Sequence, residues 1–334
     1  MRLFIRSLSP VSGLLLLFLL IGGCQANRDQ SLTLFEETPD TTQTIAPNPQ
    51  EKTTIALVMK TLTNPFFVEM EKGARRAESE LGIELLVKTA AQETSIEQQI
   101  GIIETLTQQK VDAIVIAPGS SIELIPILKK AQDKGIVIIN IDNRLDPSRS
   151  QELGLVNVPF ISVDNQKGGY LSAQQISQKM TQPSQVAILE GIQTAQNAKD
   201  RKNGALKAFT ENTNIEIVAS VPANWKIDEA YTVTQTILNQ YPNLDALFCA
   251  NDMMALGATQ YLEENNRSDI WVAGFDALAE AHSAIRSGQL TATIDQQAAQ
   301  QGYTGVQYAF KALKGESLPP ETMIDVVVVT KDNL

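Results

Sequence analysis

Histidine and cysteine are nearly missing from this 334-residue chain, which has one of the first, His282, and two of the second, Cys24 and Cys249. A single histidine leaves little for histidine-based catalysis or metal ligation, and two cysteines exclude a disulfide scaffold and a cysteine-based zinc site. Basic runs are absent as well. The formal charge is −11, and so acidic a surface repels phosphate backbones, so no nucleic-acid partner is expected. No glycine-rich loop follows the first strand-like segment, which argues against dinucleotides and sugar phosphates. Neither a cofactor nor a metal is expected. Aromatic residues make up only 5%, so those that fall in polar loops stand out.

What is present suffices for a large core. Hydrophobic residues are 43% of the chain, and the length accommodates two domains of about 100–150 residues each. The first 23 residues have the form of a secretory signal: Arg2 and Arg6 with no acid, an unbroken apolar run over 14–21, then Gly22 and Gly23. That run is short for a transmembrane helix, which needs about 20 apolar residues. Ile21-Gly22-Gly23-Cys24 resembles a bacterial lipobox, so Cys24 is expected to carry lipid and to hold an exported protein on a membrane surface. Residues 24–52 are rich in Thr, Gln, acids and proline, as in a solvated tether.

The remainder alternates between two patterns. Strand-like β-branched runs fall at 54–59, 84–87, 113–116, 137–141, 185–189, 216–219, 246–249, 271–273 and 326–330. Amphipathic segments with helical spacing fall at 67–81, 96–109, 122–134, 165–180, 198–211, 228–240, 253–263, 277–287 and 296–313. Continuously apolar strands alternating with helices predict an α/β fold with parallel sheets covered on both faces. These units exceed one ordinary sheet, and the rhythm breaks near 157–164. Two doubly wound lobes are therefore expected.

In such sheets ligands bind beyond the carboxyl ends of the strands. Those positions carry Lys60, Asn64, Phe66 and Phe67, then Asp142 and Asn143, then Trp225, Asn251, Asp276 and Gln296. Carboxylates and amides exchange hydrogen bonds with hydroxyls, and flat aromatics cover C–H faces, which is the chemistry of a neutral sugar ring. Each residue also has a plainer reading. Asn64-Pro65 is a standard helix start, and Asp142, Asn251 and Asp276 could cap the helices that follow. Asp252 is read as a cap or hinge partner, Cys249 as a buried free thiol, and His282 as a surface or partly packed residue.

Taken together, the segments 60–67, 117–121, 140–143, 249–257 and 274–276 resemble the periplasmic sugar-binding proteins of the ribose-binding type, which serve ABC transporters. The resemblance spans about 53–329, and Lys60, Ser120-Ser121 and Pro222–Trp225 are similar to the D-allose-binding members. It implies a periplasmic binding protein type I fold with a three-segment hinge near 162–165, 295–296 and 324–325. The first lobe would comprise 53–162 with 297–323, and the second 163–296 with 324–334. It also implies that Asn64, Asp142, Arg201, Asn251, Asp276 and Gln296 bind hydroxyls, that Lys60 adds a donor, and that Phe66, Phe67 and Trp225 sandwich the ring. A monomer that delivers a monosaccharide to a permease is the expectation, with no enzymatic activity.

The position after Asp142 departs from the pattern. Ribose binders carry arginine there and allose binders glutamate, whereas this chain has Asn143, and Arg144 could compensate only if the loop shifts. Phe67 in place of tryptophan is a milder change. Three other classes share parts of this pattern. The repressors that share this fold begin with a DNA-binding segment where this chain has a leader and tether. A glycosidase would need paired carboxylates about 5–9.5 Å apart and room for a leaving group. A lipoprotein that reports sugar to a kinase or chemoreceptor would share the same cleft.

Overall fold

The computed structural model describes residues 52–334, so the leader, Cys24 and nearly all of the expected tether lie outside the described residues. No helix among the described residues is long and apolar enough to cross a membrane. From the start of the described chain run β1 (Thr54–Met59), α1 (Pro65–Leu81), β2 (Glu84–Thr89), α2 (Ile96–Gln109), β3 (Ala113–Ile116), α3 (Ile125–Gln132), β4 (Val137–Ile141), α4 (Pro147–Glu152) and β5 (Phe160–Val163). Then follow α5 (Asn165–Ser177), β6 (Ser184–Glu190), α6 (Gln196–Thr210), β7 (Ile215–Pro222), α7 (Ile227–Gln240), β8 (Leu244–Cys249), α8 (Asp252–Glu264) and β9 (Trp271–Ala273). The last elements are α9 (Ala279–Ser287), β10 (Ala292–Asp295), α10 (Ala298–Leu313), β11 (Glu321–Ile324) and β12 (Val327–Thr330).

The strands make two sheets of six. The first has the order β11-β5-β4-β3-β1-β2 and is parallel throughout. The second has the order β12-β10-β9-β8-β6-β7 and is parallel except for the β10–β12 pair. Both contain the doubly wound 2-1-3-4-5 pattern, whose switch points lie between β1 and β3 and between β6 and β8. Burial explains the apolar runs. In β1, Ile55, Leu57 and Met59 enter one core cluster while Ala56 and Val58 enter another on the opposite face. A strand apolar on both sides is stable only beneath helices on both sides.

The chain passes between the sheets at three places. β5 belongs to the first sheet, whereas α5 packs on β9 and β10 of the second. β10 belongs to the second, whereas α10 packs on α1 and β4 of the first. β11 and β12 end in different sheets.

Three four-residue strands, β5, β10 and β11, are absent from the apolar runs read above, although the break near 157–164 marks the first. The helix expected from 122 begins at Ile125 instead. Ser120 Oγ accepts from the backbone N–H groups of Ile122 and Glu123 at 3.4 and 3.2 Å, which holds the preceding residues in a turn.

Candidate ligand-binding site

The carboxyl ends of the two sheets face each other across a narrow cleft. On the first side, Lys60 directly follows β1, and Asn64 caps α1 by accepting from Phe66 N at 3.0 Å. Pro65 occupies the first helical turn, where its missing N–H costs nothing. Phe66 and Phe67 follow, buried and edge to face with centroids 5.0 Å apart.

Asp142 follows β4 with φ of +62°, a left-handed conformation that a non-glycine residue adopts only when its surroundings fix it. Two bonds do so: its N–H donates to Ile161 O at 3.0 Å, and its carbonyl accepts from Ser162 Oγ at 2.7 Å. Its carboxylate thereby meets Lys60 Nζ at 2.8 Å.

On the second side the organising group is Arg201, in α6. Its guanidinium donates to Asn165 Oδ1 at 2.8 Å, Ala250 O at 3.0 Å and Gln296 Oε1 at 3.2 Å. It stacks 3.8 Å from the Phe275 ring centroid and lies 3.5 Å from Asp276 Oδ1. A glycine makes this placement possible. A Cβ on Gly169 of α5 would stand 2.3 Å from the carbonyl oxygen of Arg201, so the two helix backbones meet only because it has none.

Asp276 (φ +124°) accepts from Gln296 Nε2 at 2.6 Å. Burial pushes its carboxyl well above the usual carboxylate range, against the pull of Arg201. Trp225, also left-handed at φ +67°, lays its ring over Gly191. Asn251 caps α8 by accepting from Met254 N at 2.9 Å.

Lys60, Asn64, Phe66, Phe67, Asp142, Arg201, Trp225, Asn251, Asp276 and Gln296 therefore line one narrow pocket. Two further residues line it that the sequence reading missed, Glu93 and Asn197. Glu93 lies in the loop after β2, a strand end of the kind already singled out. Burial raises its carboxyl above the ordinary value, opposed by the charge of Lys60. Asn197, in the first turn of α6, donates from Nδ2 to Asp142 Oδ1 at 3.3 Å and so reaches across the cleft.

Asn143 is the exception among the expected residues. It is fully buried but does not line the cavity. Its Nδ2 donates to Pro118 O at 3.1 Å, and its Oδ1 accepts from Asn197 N at 3.2 Å, so its amide joins the two sides of the cleft. Ser121 acts beside it: its N–H donates to Thr194 O at 3.1 Å, and its Oγ accepts from Gln196 N at 3.0 Å. Arg144 does not stand in for the missing charge. It pairs with Glu321 and stacks 4.1 Å from the centroid of the Phe160 ring.

Asp252, read as scaffold, accepts from Leu278 N at 2.9 Å and Thr293 Oγ1 at 2.7 Å, and burial raises its carboxyl to about 6. Cys249 is a buried free thiol.

Buried polar atoms are almost always hydrogen-bonded. Only five buried side-chain polar atoms among the described residues have no hydrogen-bond partner, and three of them belong to cavity residues: Asp142 Oδ2, Asn197 Oδ1 and Trp225 Nε1. Of these, Asp142 Oδ2 has the Lys60 ammonium at 2.8 Å, so its charge is met by an ion pair. The cavity thus presents an acceptor, Asn197 Oδ1, and a donor, Trp225 Nε1, without partners, between aromatic walls.

A family model described as the periplasmic binding protein domain matches residues 55–317. The D-ribose/D-allose-binding protein of Pseudomonas aeruginosa is 39% identical over 283 residues, covering 84% of this chain and 88% of that protein. The D-allose-binding periplasmic protein of Escherichia coli is 34% identical over 284 residues, covering 83% and 91%. A solved ABC transporter periplasmic solute-binding protein from Actinobacillus succinogenes, with bound D-allose, matches with a TM-score of 0.80 at 39% identity, over 84% of this chain and 98% of that one. These relatives are solute-binding proteins and not enzymes. The chain belongs to the periplasmic binding protein family, among the extracytoplasmic sugar-binding proteins of ABC transporters.

Proposed function

We propose that this protein captures a neutral monosaccharide in the cleft and presents the closed form to the permease of an ABC importer, while Cys24 anchors it by lipid. The observation that carries the reading is the pair of unpartnered buried atoms on Asn197 and Trp225 beside the Lys60–Asp142 ion pair, all in one cavity walled by Phe66, Phe67 and Trp225. A polyhydroxy ring supplies donors and acceptors to those atoms and C–H faces to the rings. Asn64, Asp142, Arg201, Asn251, Asp276 and Gln296 act on its hydroxyls, with Lys60 as a further donor. Aldoses related to D-allose and D-ribose are the first candidates, because relatives with those names share the chain over most of its length.

Lobe one is 53–162 with 297–323 and lobe two is 163–296 with 324–334, turning about the three passages between the sheets. The sheet membership of β5, β10, β11 and β12 supports these boundaries. A ligand touching both lobes selects the closed state.

The test is thermal stability of the purified protein against a panel of pentoses and hexoses. Ligand at 100 times its dissociation constant adds about 2.7 kcal/mol. No response to any sugar, with a clear response to an amino acid or a nucleotide, overturns the reading. For the anchor, Cys24→Ser should abolish labelling by radioactive palmitate, and an unlabelled wild type would refute it.

A further inference from the structure

Lys60 stands between two carboxylates. Asp142 Oδ2 is in contact at 2.8 Å, whereas Glu93 Oε2 is 4.0 Å from the ammonium and accepts no hydrogen bond among the described residues. Two hydrogen bonds of about 2.8 Å that meet near 100° at one hydroxyl oxygen span about 4.3 Å. The gap between Lys60 Nζ and Glu93 Oε2 thus matches a single bridging hydroxyl, which accepts from the ammonium and donates to the carboxylate.

Asn64 fixes the geometry. Its Oδ1 is committed to capping α1, and its Nδ2 donates to Glu93 Oε1 at 2.9 Å, leaving Oε2 free. Asn143, by contrast, has both ends of its amide engaged in backbone contacts and offers the cavity nothing.

We propose that Glu93, delivered by the loop after β2 and aimed by Asn64, is the specificity-determining acceptor of the first side of the cleft, reading one sugar hydroxyl together with Lys60. This rests on the monosaccharide reading above. It names which residue discriminates among sugars: one whose bridging hydroxyl is missing or methylated leaves the Lys60–Glu93 gap unfilled and binds weakly.

The experiment is calorimetric titration of the wild type, Glu93→Gln and Glu93→Asp with the aldose that raises the wild-type melting temperature most, and with its complete set of monodeoxy derivatives. Gln keeps the oxygen that accepts from Asn64 but removes the charge. Asp keeps the charge but withdraws it by one methylene, and it provides the same comparison should the Gln variant fail to fold. Both variants should lose roughly 10–100-fold in affinity for the parent sugar. For one monodeoxy sugar, the one without the bridging hydroxyl, variants and wild type should agree within about 3-fold, because the contact is already gone.

Parent-sugar affinities equal to wild type overturn the assignment and leave the monosaccharide reading standing. A uniform loss across every deoxy sugar also overturns it, since a residue that only supports the site cannot single out one hydroxyl. A wild type that binds no aldose at all overturns both.

Discussion

The ion pair between Lys60 and Asp142 offers a way to separate binding from scaffolding. Both side chains are 3% exposed and 2.8 Å apart. Asp142→Asn is the informative substitution, because asparagine tolerates the left-handed backbone at φ +62° better than other residues, so strain is not added. It leaves the Lys60 ammonium buried with only Glu93, at 4.0 Å, to compensate. Removing one partner of a buried pair generally costs 3–5 kcal/mol. At an effective dielectric constant of ~20, a unit charge at 4.0 Å still contributes about 4 kcal/mol of attraction. That residual attraction sets the expectation near the lower end, about 3 kcal/mol of unliganded stability by urea denaturation.

Lys60→Met in the same chain removes the stranded charge, and Glu93, already pushed up by burial, can take a proton instead. The double variant should therefore regain stability to within about 1 kcal/mol of wild type, a recovery of about 2 kcal/mol over Asp142→Asn alone. Sugar affinity should not return with it. Losing the charged acceptor and its donor should hold affinity at least roughly 10-fold below wild type. An Asp142→Asn variant as stable as wild type would show that the pair contributes nothing. A double variant that binds sugar normally would show that both residues are scaffold, and the site assignment would fall.

Ser121→Ala removes the hydroxyl that accepts from Gln196 N across the cleft, and should weaken sugar affinity by roughly 3–10-fold while leaving the melting temperature nearly unchanged; an unaltered dissociation constant would refute a role for this clasp in closure. Gly191→Ala would place a Cβ 2.0 Å from the Trp225 ring. The ring must move, and affinity should fall at least roughly 10-fold with a blue or red shift of tryptophan emission, so wild-type binding and emission would count against Trp225 as a wall of the cavity. Stability should also depend on pH. Asp252 is raised to about 6 by burial, so its contribution is fullest below the unfolded value and is lost as pH rises through 6. Between pH 5 and 7 the unliganded protein should lose about 1 kcal/mol from this group, with Asp276 and Glu93 acting in the same direction. A stability that rises over that interval, measured by urea denaturation, would contradict the upward shift that burial imposes on these acids.

Local pattern settled most of the fold. Strands such as β1, β3, β4 and β9 occupy the very residues their apolar runs indicate, because burial on both faces demands a continuous apolar segment and short range alone expresses it. Helix starts were equally legible where a capping residue and a proline stand together, as at Asn64-Pro65. The three passages between sheets are different. β11 exists as a strand because Glu321–Ile324 pairs with Phe160–Val163, far away in sequence, and nothing in its own composition announces that partner.

The site divides the same way. Residue type and strand-end position pointed to Asp142, Asp276 and the aromatics, since sugar chemistry needs those groups and doubly wound sheets gather them at one edge, whereas Arg201, on a helix, was indicated only by the family resemblance. Which neighbour faces the cavity was decided only by tertiary structure. The left-handed turn at Asp142 and the backbone partners Pro118 and Asn197 turn Asn143 into a clasp, while Glu93, held by Asn64, supplies the carboxylate instead. A side chain's direction depends on which distant hydrogen bonds it satisfies, and those partners come together only when both sheets have folded.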